Sequence, residues 1–251
     1  MKKILIMIYE QLRIIYQIGF LSYLKYRIGS KGKKIRIQFD GYNILVRKRT
    51  RDLDVAISCF NGEFDIIKHL FPQDYNGIII DAGGYIGTST LAIKKIFPNS
   101  KVIVVEPSDE NMAILKENLA EVPNIRVVHG ALVGELKKIV QLKNRGTGEW
   151  GFTVVSSPRD NPNSANIQNV PAFRLSDLVS NVEHIGLLKL DIEGGELNLL
   201  EHDMESLEKI EVVFAELHNR IAEGCENKYF EFSKKRILVK DRGEKYLSIK
   251  R

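Results

Sequence analysis

The stretch that decides the fold is IIIDAGGYIGTST, residues 78–90. A run of β-branched apolar residues ends on an acid, passes through glycines and continues as a polar, then apolar, segment. This pattern predicts a buried strand over Ile78–Ala82, a tight turn, and a helix that begins near Thr88. Glycines permit positive φ angles and a close approach of ligand to backbone, and the N–H groups that begin a helix attract electron-rich atoms. The stretch therefore indicates a nucleotide-binding turn.

The chain after this turn alternates between strand-like and helix-like segments. Such alternation is typical of βαβ units, which build a mostly parallel sheet with helices on both faces. We therefore expect an α/β, Rossmann-like fold. The predicted strands are Lys101–Val105, Ile125–His129, Ile185–Asp191 and Ile210–Leu217, and the predicted helices are Thr88–Ile96, Asp109–Leu119 and Asn227–Lys234.

Several segments break this regular pattern. A pair of inserted strands is expected at Val140–Leu142 and Phe152–Ser156. The segment Ser157–Asn169, rich in proline, asparagine and serine, predicts a weakly ordered loop that acts as a lid. A short helix is expected at Phe64–Phe71, and a β-hairpin over Ile237–Ile249 closes the chain.

The composition bounds the size and the compartment of the protein. The chain has 251 residues, 44% hydrophobic and 27% charged, enough for one large α/β domain and an appendage. Its two cysteines, Cys59 and Cys225, are far apart and in no metal-ligand spacing, which argues against a disulfide framework or structural zinc. We expect a cytoplasmic protein with an N-terminal extension over residues 1–60 and a catalytic domain over residues 61–251.

The N-terminal extension is both basic and apolar. Residues 1–54 hold 13 Lys and Arg against 4 Asp and Glu, a net charge of +9, which leaves −4 for the rest of the chain. Polar side chains at the centre of Met1–Tyr26 argue against a membrane-spanning helix. An apolar helix here packs on the catalytic domain, on a dimer mate, or on an anionic membrane through residues 1–28, and these alternatives stay open. A β-hairpin that turns at Asp40-Gly41 follows.

The acids at two strand ends narrow the choice of nucleotide. A dinucleotide site requires GxGxxG, but Ala82 stands where its first glycine would be. Asp81 would repel a pyrophosphate and suits a cationic amino acid group. Glu106, at the end of the next strand, is placed to accept hydrogen bonds from ribose hydroxyls. A ribose without phosphates and with a positively charged tail describes S-adenosylmethionine, for which the predicted binding residues are Asp81, Gly83, Tyr85, Gly87, Thr88, Ser89, Glu106, Pro107 and Ala131.

Four segments carry a resemblance to a known family. IIIDAGGYIGTST, VVEPSDEN, KLDIEGGE and FAELH together resemble the FkbM family of S-adenosylmethionine-dependent methyltransferases, in matching order across residues 43–218. The resemblance implies a class I methyltransferase fold with a mostly parallel seven-stranded sheet, helices on both faces, and an added N-terminal helix and β-hairpin. Tyr85 departs from the family, which commonly carries Asn there, and is expected to crowd or stack on the methionine end of the cofactor.

The resemblance also implies an activity, the transfer of a methyl group to a hydroxyl, here of a saccharide or glycan intermediate. Such transfer requires an oriented oxygen and a group that takes its proton. Asp191, Glu216 and His218 also suit a hard divalent ion that would lower the pKa of the hydroxyl, but we expect no metal, because no full ligand set is spelled out. The candidate catalytic residues are Asp191, Glu216 and His218, and the candidate substrate-binding residues are Arg51, Asp54 and Glu193.

Two other functions stay open at this point. One is an NAD(P)-dependent Rossmann oxidoreductase, and the other is a membrane-associated module that binds the cofactor without chemistry. The basic extension suits anionic lipid or an anionic glycan, and we expect no nucleic acid partner. The sequence identifies neither the acceptor nor the oligomeric state.

Overall fold

A computed structural model describes residues 11–146, 148–155, 165–179, 182 and 184–251. The chain divides into two units, residues 1–65 and residues 66–251. Each unit has its own elements and is described separately. The predicted boundary at residue 60 stays a prediction.

Helices α1, residues 11–18, and α2, Phe20–Arg27, begin the described part of the N-terminal unit. They are separated by Gly19, whose φ of 79° leaves the helical region. The helical prediction is thus confirmed for residues 11–27 with one interruption, and residues 1–10 lie outside the described part. Within that part, no helix is long and apolar enough to cross a membrane.

A two-stranded antiparallel hairpin follows, formed by β1, Lys34–Phe39, and β2, Tyr42–Arg47. The predicted turn is confirmed: Asp40 and Gly41 both have positive φ, as a two-residue hairpin turn requires. The rest of this unit is helix α3, Asp52–Ser58, and an irregular turn, Cys59–Glu63, in which Asn61 and Gly62 leave the helical region of φ/ψ.

The junction to the second unit is a 3₁₀ turn, Asp65–Ile67. The prediction of a helix over Phe64–Phe71 is therefore wrong in its length and type. Phe64 and Ile67 are buried, so their apolar character reflects core packing of a turn. A short apolar run cannot by itself distinguish these cases.

A seven-stranded sheet organises the second unit and confirms the predicted fold class. Its strand order is β12-β13-β11-β10-β3-β4-β5, and β13 alone in it runs antiparallel to its neighbours. The strands are β3, Ile78–Ala82; β4, Lys101–Glu106; β5, Ile125–His129; β10, Ile185–Leu190; β11, Ile210–Glu216; β12, Arg236–Lys240; and β13, Lys245–Lys250.

The chain reverses its direction of winding at β3. It passes outward through β4 and β5 on one side, then returns to β10 and β11 on the other. Ligands of open α/β sheets bind at such a switch point, outside the carboxyl ends of the strands. The helices of the unit are α4, Thr88–Ile96; α5, Asp109–Leu119; α6, Leu175–Leu178; α7, Glu196–His202; α8, Met204–Glu208; and α9, Cys225–Phe232.

An inserted sheet of order β6-β9-β7-β8 lies between β5 and β10 in the chain. The expected strand pair is confirmed as β7 against β8, but the second strand is shorter than predicted: it ends at Thr153, and residues 154–155 are in no strand. The predicted loop Ser157–Asn169 is wrong for residues 165–169, which pair with β7, while residues 157–164 lie outside the described residues. The strands are β6, Ala131–Leu132; β7, Ile139–Asn144; β8, Phe152–Thr153; and β9, Ala165–Phe173, with a 3₁₀ turn at Glu149–Gly151.

The central strands are buried on both faces, which explains their nearly continuous apolar sequence. Ile80, Leu188, Leu190 and Val213 are fully buried, and β10 has no exposed residue at all. This packing fixes where the strands end. Polar residues at those ends are therefore held in defined positions.

Candidate active site

Two segments meet at the switch point between β3 and β10. We call residues 81–90 the cofactor turn and residues 191–196 the acidic loop. They are in direct contact, since a Cβ built on Gly83 would lie 1.8 Å from the backbone oxygen of Asp191. Only glycine fits at this position, which also has a φ of +82°.

Hydrogen bonds to the neighbouring strand hold the cofactor turn. The backbone N–H groups of Gly83 and Gly84 both donate to the Val105 carbonyl, at 3.0 and 2.9 Å. Gly87 then caps helix α4 in the left-handed conformation, with a φ of 87°. The tight turn predicted from the glycines is confirmed.

Asp81 fastens the cofactor turn to the start of α4. Its carboxylate is fully buried, and Oδ2 accepts hydrogen bonds from Ser89 Oγ and Thr90 Oγ1, both at 2.6 Å. Lys189 Nζ lies 3.4 Å from Oδ1. These contacts give Asp81 and Ser89 a structural task, and their direct contact with the cofactor stays a prediction.

Lys189 links the cofactor turn to the acidic loop, and it is not among the site residues predicted from the sequence. Its buried Nζ donates to the Gly83 carbonyl at 2.7 Å and to the Ala82 carbonyl at 3.3 Å. It also lies 3.5 Å from Asp191 Oδ2. Its position inside the apolar run of β10 could have identified it from the sequence, because a buried ammonium group needs carbonyl or carboxylate groups to accept its hydrogen bonds.

Glu106 is held at the end of β4 by three donors. Oε2 accepts from the Tyr85 backbone N–H at 2.9 Å, and Oε1 accepts from the Ser108 N–H at 3.0 Å and from Asn111 Nδ2 at 3.1 Å. Burial raises the pKa of Glu106 to about 7, although the hydrogen bonds act in the opposite direction. Asn111, three residues after the helix cap Ser108, is a second residue that the sequence analysis missed.

The other predicted cofactor residues line the same strand ends. Tyr85 is buried and adopts a φ of 50°, rare for a residue with a side chain. Thr88 is the first residue of α4, Pro107 accepts a hydrogen bond from Gln168, and Ala131 begins β6. Whether Tyr85 contacts the methionine end stays a prediction.

The acidic loop surrounds one buried histidine. His218 Nδ1 lies 2.9 Å from Glu196 Oε1, and its Nε2 lies 3.8 Å from Asp191 Oδ1 and 3.6 Å from Glu193 Oε1. Glu196 also accepts hydrogen bonds from the N–H groups of Ile192 and Gly194. The structure therefore brings together Asp191, His218 and Glu193, three of the predicted residues.

The charges in this cluster shift one another's pKa. Burial alone would lower the pKa of His218, but Glu196, Asp191 and Glu193 raise it to about 10. Burial raises the pKa of Glu193 to about 7. Burial also acts to raise the pKa of Asp191, but Lys189 and His218 outweigh it and hold that pKa below its usual value. These neighbours favour the charged forms of both His218 and Asp191.

Donor atoms of Asp191, Glu196 and His218 lie within 4.8 Å of one another, as do those of Glu216, His218 and Glu244. A histidine protonated at both ring nitrogens donates hydrogen bonds and has no lone pair for a metal. The expectation that no metal takes part stays a prediction.

Of the remaining predicted residues, Glu216 has a carboxylate oxygen within 4.8 Å of a ring nitrogen of His218, whereas Arg51 and Asp54 lie in the other unit. Glu216, the last residue of β11, has its Oε2 3.5 Å from Lys245 Nζ. Arg51 and Asp54 form an exposed pair at 3.3 Å in the N-terminal unit. The roles given to these three residues stay predictions.

The inserted sheet contacts both halves of the site. Asn111 Nδ2 donates to the Glu149 carbonyl at 2.9 Å as well as to Glu106. At the other end, Thr153 Oγ1 donates to the Glu193 carbonyl at 2.6 Å. The insertion therefore borders both the predicted ribose-binding acid and the acidic loop.

The donor set fits S-adenosylmethionine. Asp81 and Glu106, at adjacent strand ends, are acids that favour a cation and ribose hydroxyls over phosphates. Gly83 has no side chain, so its backbone stays accessible to a ligand at a point of the turn that a Cβ would fill. Fold and donor set together define a class I S-adenosylmethionine-dependent methyltransferase.

Sequence comparison gives the family. A model of the methyltransferase FkbM domain matches residues 81–246, and the chain belongs to that family. It is a methyltransferase, with S-adenosylmethionine as its cofactor. The oxidoreductase and the module without chemistry are thereby set aside.

Two kinds of relatives were found. "Methyltransferase 1" of Beauveria bassiana (strain ARSEF 2860) is 28% identical over 193 residues, covering 69% of this chain and 73% of that protein. A putative caffeoyl-CoA O-methyltransferase from Staphylococcus aureus has a TM-score of 0.47 at 11% identity, covering 75% of this chain and 83% of that one. The N-terminal domain of human METTL16 in complex with SAH has a TM-score of 0.45 at 12% identity, covering 83% and 75%. The fold assignment rests on the sheet order of this chain.

Proposed function

We propose that the protein transfers a methyl group from S-adenosylmethionine to a hydroxyl of a saccharide or glycan intermediate. One observation carries the proposal: the acidic loop lies directly against the cofactor turn at Gly83 and Asp191. A hydroxyl must lose its proton as it is methylated, so carboxylates beside the methyl donor suit an oxygen acceptor. The resemblance to the FkbM family supports the same reaction.

Different residues of the site bind the cofactor and the acceptor. Bound S-adenosylmethionine supplies an electrophilic methyl group on a sulfonium. Glu106, fixed by Tyr85, Ser108 and Asn111, accepts hydrogen bonds from the ribose. The carboxylates of the acidic loop bind the acceptor hydroxyl and orient its oxygen, a contribution that can lower the barrier substantially.

A saccharide suits this loop because it offers adjacent hydroxyls. The Asp191 side chain is 31% exposed, and that of Glu193 is 11% exposed. Ionised carboxylates accept several hydrogen bonds each, which matches neighbouring hydroxyl donors. We also propose that the reaction takes place in the reducing cytoplasm, where cysteines such as Cys59 and Cys225 are not joined in disulfides.

Two measurements test the activity. Calorimetry with S-adenosylhomocysteine and, separately, with NAD is expected to show tight binding of the first only. Incubation with tritium-labelled S-adenosylmethionine and a panel of methyl hexopyranosides and deoxyhexopyranosides is expected to label at least one sugar. Label that enters only amine or protein acceptors contradicts the proposed acceptor class.

We further propose that the N-terminal unit attaches peripherally to an anionic membrane. Its helices expose large apolar side chains: Phe20 is 59%, Leu21 73% and Ile28 66% exposed. Lys25 and Arg27 lie in the last turn of α2. Apolar residues beside bases are typical of interfacial helices on anionic lipid.

Vesicle sedimentation with the full chain tests this attachment. We expect binding to vesicles that contain phosphatidylglycerol, weaker binding to pure phosphatidylcholine, and a loss with Leu21→Glu. Leu136→Glu is the matched control, because Leu136 is 83% exposed in the catalytic unit. Equal binding of both variants, or an unchanged cell fractionation after deletion of residues 1–28, contradicts the proposal.

A further inference from the structure

We propose that Glu193 is the general base that takes the proton of the acceptor hydroxyl, and that His218, fixed by Glu196, is a positioning residue. This inference rests on the proposed transfer to a hydroxyl and assigns its proton. It gives Glu193 a different role from the substrate binding expected from sequence. It also removes His218 from the candidate bases.

The backbone of Glu193 is held in a costly conformation. Its φ of 50° is left-handed, although the residue is not a glycine. Thr153 Oγ1 donates to its carbonyl, and the following Gly194, with a φ of +98°, has no room for a Cβ against Ile221. Strained residues held by their surroundings are concentrated at functional sites, where a side chain must be aimed. The aimed group here is the Glu193 carboxylate.

Carboxylates face both ring nitrogens of His218, which favours an imidazolium that already carries its proton over a base that accepts one. Its Nδ1 faces Glu196 at 2.9 Å, and its Nε2 faces Glu193 and Asp191. Glu196 is fully buried and held by two backbone N–H groups, so it keeps the ring in one orientation. A cationic imidazole held in this way fixes the carboxylates on its other side.

The charged groups around Glu193 support the assignment. His218 and Arg220 favour its ionised form, whereas Asp191 and Glu196 oppose it, and burial is the largest effect. The resulting pKa of about 7 suits a base at neutral pH. Asp191, by contrast, lies 3.5 Å from Lys189 and has a lowered pKa, so it holds a proton poorly.

The step balances without another reactant. A lone pair of the acceptor oxygen forms the bond to the methyl carbon, and the electron pair of the sulfur–methyl bond stays on sulfur. The hydroxyl proton passes to the Glu193 carboxylate, which releases it to solvent before the next turnover. The products are the methyl ether, S-adenosylhomocysteine and one proton.

The experiment compares Glu193→Gln with wild type on the labelled methyl glycoside panel. We expect a loss in kcat of about 10²–10⁴-fold, the usual contribution of a general base. The acid limb of the wild-type profile, with an apparent pKa of about 7, is expected to disappear in the variant. S-adenosylhomocysteine affinity by calorimetry should stay within about threefold, because Glu193 acts on the acceptor. Glu201→Gln, at an exposed position of α7, is the matched control.

Two further variants test His218 independently of turnover. Carbon-13 NMR of labelled histidine, assigned with His218→Gln, is expected to show an imidazolium at neutral pH in wild type. Glu196→Gln should lower the pKa of that ring, since it removes the nearest carboxylate. In His218→Gln, the acid limb should move to higher pH because Glu193 loses an opposite charge.

The outcomes separate the two proposals. A wild type that methylates a glycoside, with Glu193→Gln equally fast, overturns the base assignment alone. A neutral His218 at neutral pH overturns its positioning role. A wild type that methylates no glycoside but labels an amine or protein overturns the proposed acceptor and the base assignment together.

Discussion

The cofactor turn and the acidic loop are built alike. Each follows a buried parallel strand, β3 or β10, and each places an acid, Asp81 or Asp191, just at or beyond the strand end. Each also holds a residue other than glycine at a φ of 50°, Tyr85 in one and Glu193 in the other. The same local geometry therefore occurs twice at one switch point.

They differ in what their acids contact. Asp81 is fully buried, and its carboxylate accepts hydrogen bonds from the hydroxyls of Ser89 and Thr90 in the helix that follows, α4. The Asp191 side chain is 31% exposed and lies between Lys189 and His218. Asp81 therefore fixes the end of β3 to the start of α4, whereas Asp191 is available to a ligand. The comparison shows that an acid after a strand does not reveal its role until its partners are known.

Gly83→Ala is expected to break the contact between the two segments. The new Cβ would lie 1.8 Å from the Asp191 oxygen. Overpacking is expected to destabilise the fold by about 1–3 kcal/mol or more. The left-handed backbone conformation costs a further amount of about 1–2 kcal/mol for a residue other than glycine. We expect loss of S-adenosylhomocysteine binding and a large drop in Tm, measured by calorimetry and thermal unfolding.

Gly146→Ala is the matched control for that substitution. Gly146 has nearly the same φ, +81°, but nothing lies within 4 Å of the position that a Cβ would take there. The substitution should cost only the backbone strain of about 1–2 kcal/mol and leave cofactor affinity intact. Equal effects of the two variants would show that strain, and not contact, explains Gly83.

Lys189→Met is expected to have the next largest effect. It leaves the buried Asp81 without its cation, a change that typically costs about 3–5 kcal/mol. It also releases the Gly83 carbonyl, so we expect weaker S-adenosylhomocysteine binding by calorimetry. Lys94→Met is the control, since Lys94 is similarly buried but donates to the carbonyls of Pro98 and Ser100. It should lower Tm without changing cofactor affinity.

The two acids should respond differently to the same amide substitution. Asp81→Asn is expected to destabilise the fold by about 1–3 kcal/mol, since a buried acceptor is altered. Asp191→Asn should leave Tm and cofactor affinity nearly unchanged and lower turnover about 10–100-fold, the value of one charged hydrogen bond. If Asp191→Asn methylates the glycoside as fast as wild type, Asp191 has no part in the reaction.

Most of the sheet could be predicted because its strands are buried on both faces. The apolar runs of β3 and β10 and the glycines between Asp81 and Thr88 leave few alternatives for the local backbone. The hairpin at Asp40-Gly41 followed from turn chemistry in the same way. These elements depend on local sequence alone.

The partners of the polar residues depend on the tertiary fold and were not predictable. Lys189 looks like an interruption of an apolar strand until the neighbouring strand brings Gly83 beside it. Glu196 begins helix α7, and the chain after β11 brings His218 Nδ1 within 2.9 Å of its carboxylate, a contact between residues 22 apart in sequence. Strand β9 was missed for a similar reason, because its pairing with β7 is fixed by contacts distant in sequence.

The acidic loop is also expected to impose a pH dependence on the stability of the fold. The folded-state pKa of His218, about 10, lies above its ordinary value of 6.5, so the folded protein binds this proton more tightly. The resulting stability is fully present below the ordinary value and is lost as pH rises through the folded value. Thermal unfolding should therefore show Tm falling with rising pH, by about 2–4 °C for each 1 kcal/mol lost.

Glu193 and Glu106 also make the stability of the fold fall as pH rises, but over a lower pH range than His218. The pKa of each is raised from 4.5 to about 7, so the stability they contribute is lost as pH rises across that interval. Replacing His218 by Gln should flatten the slope of Tm at alkaline pH, near the folded-state pKa of His218, and should move the part of the slope that Glu193 causes to higher pH, because Glu193 loses an opposite charge. An alkaline slope that survives in His218→Gln would mean that the acidic loop does not hold its histidine as a cation.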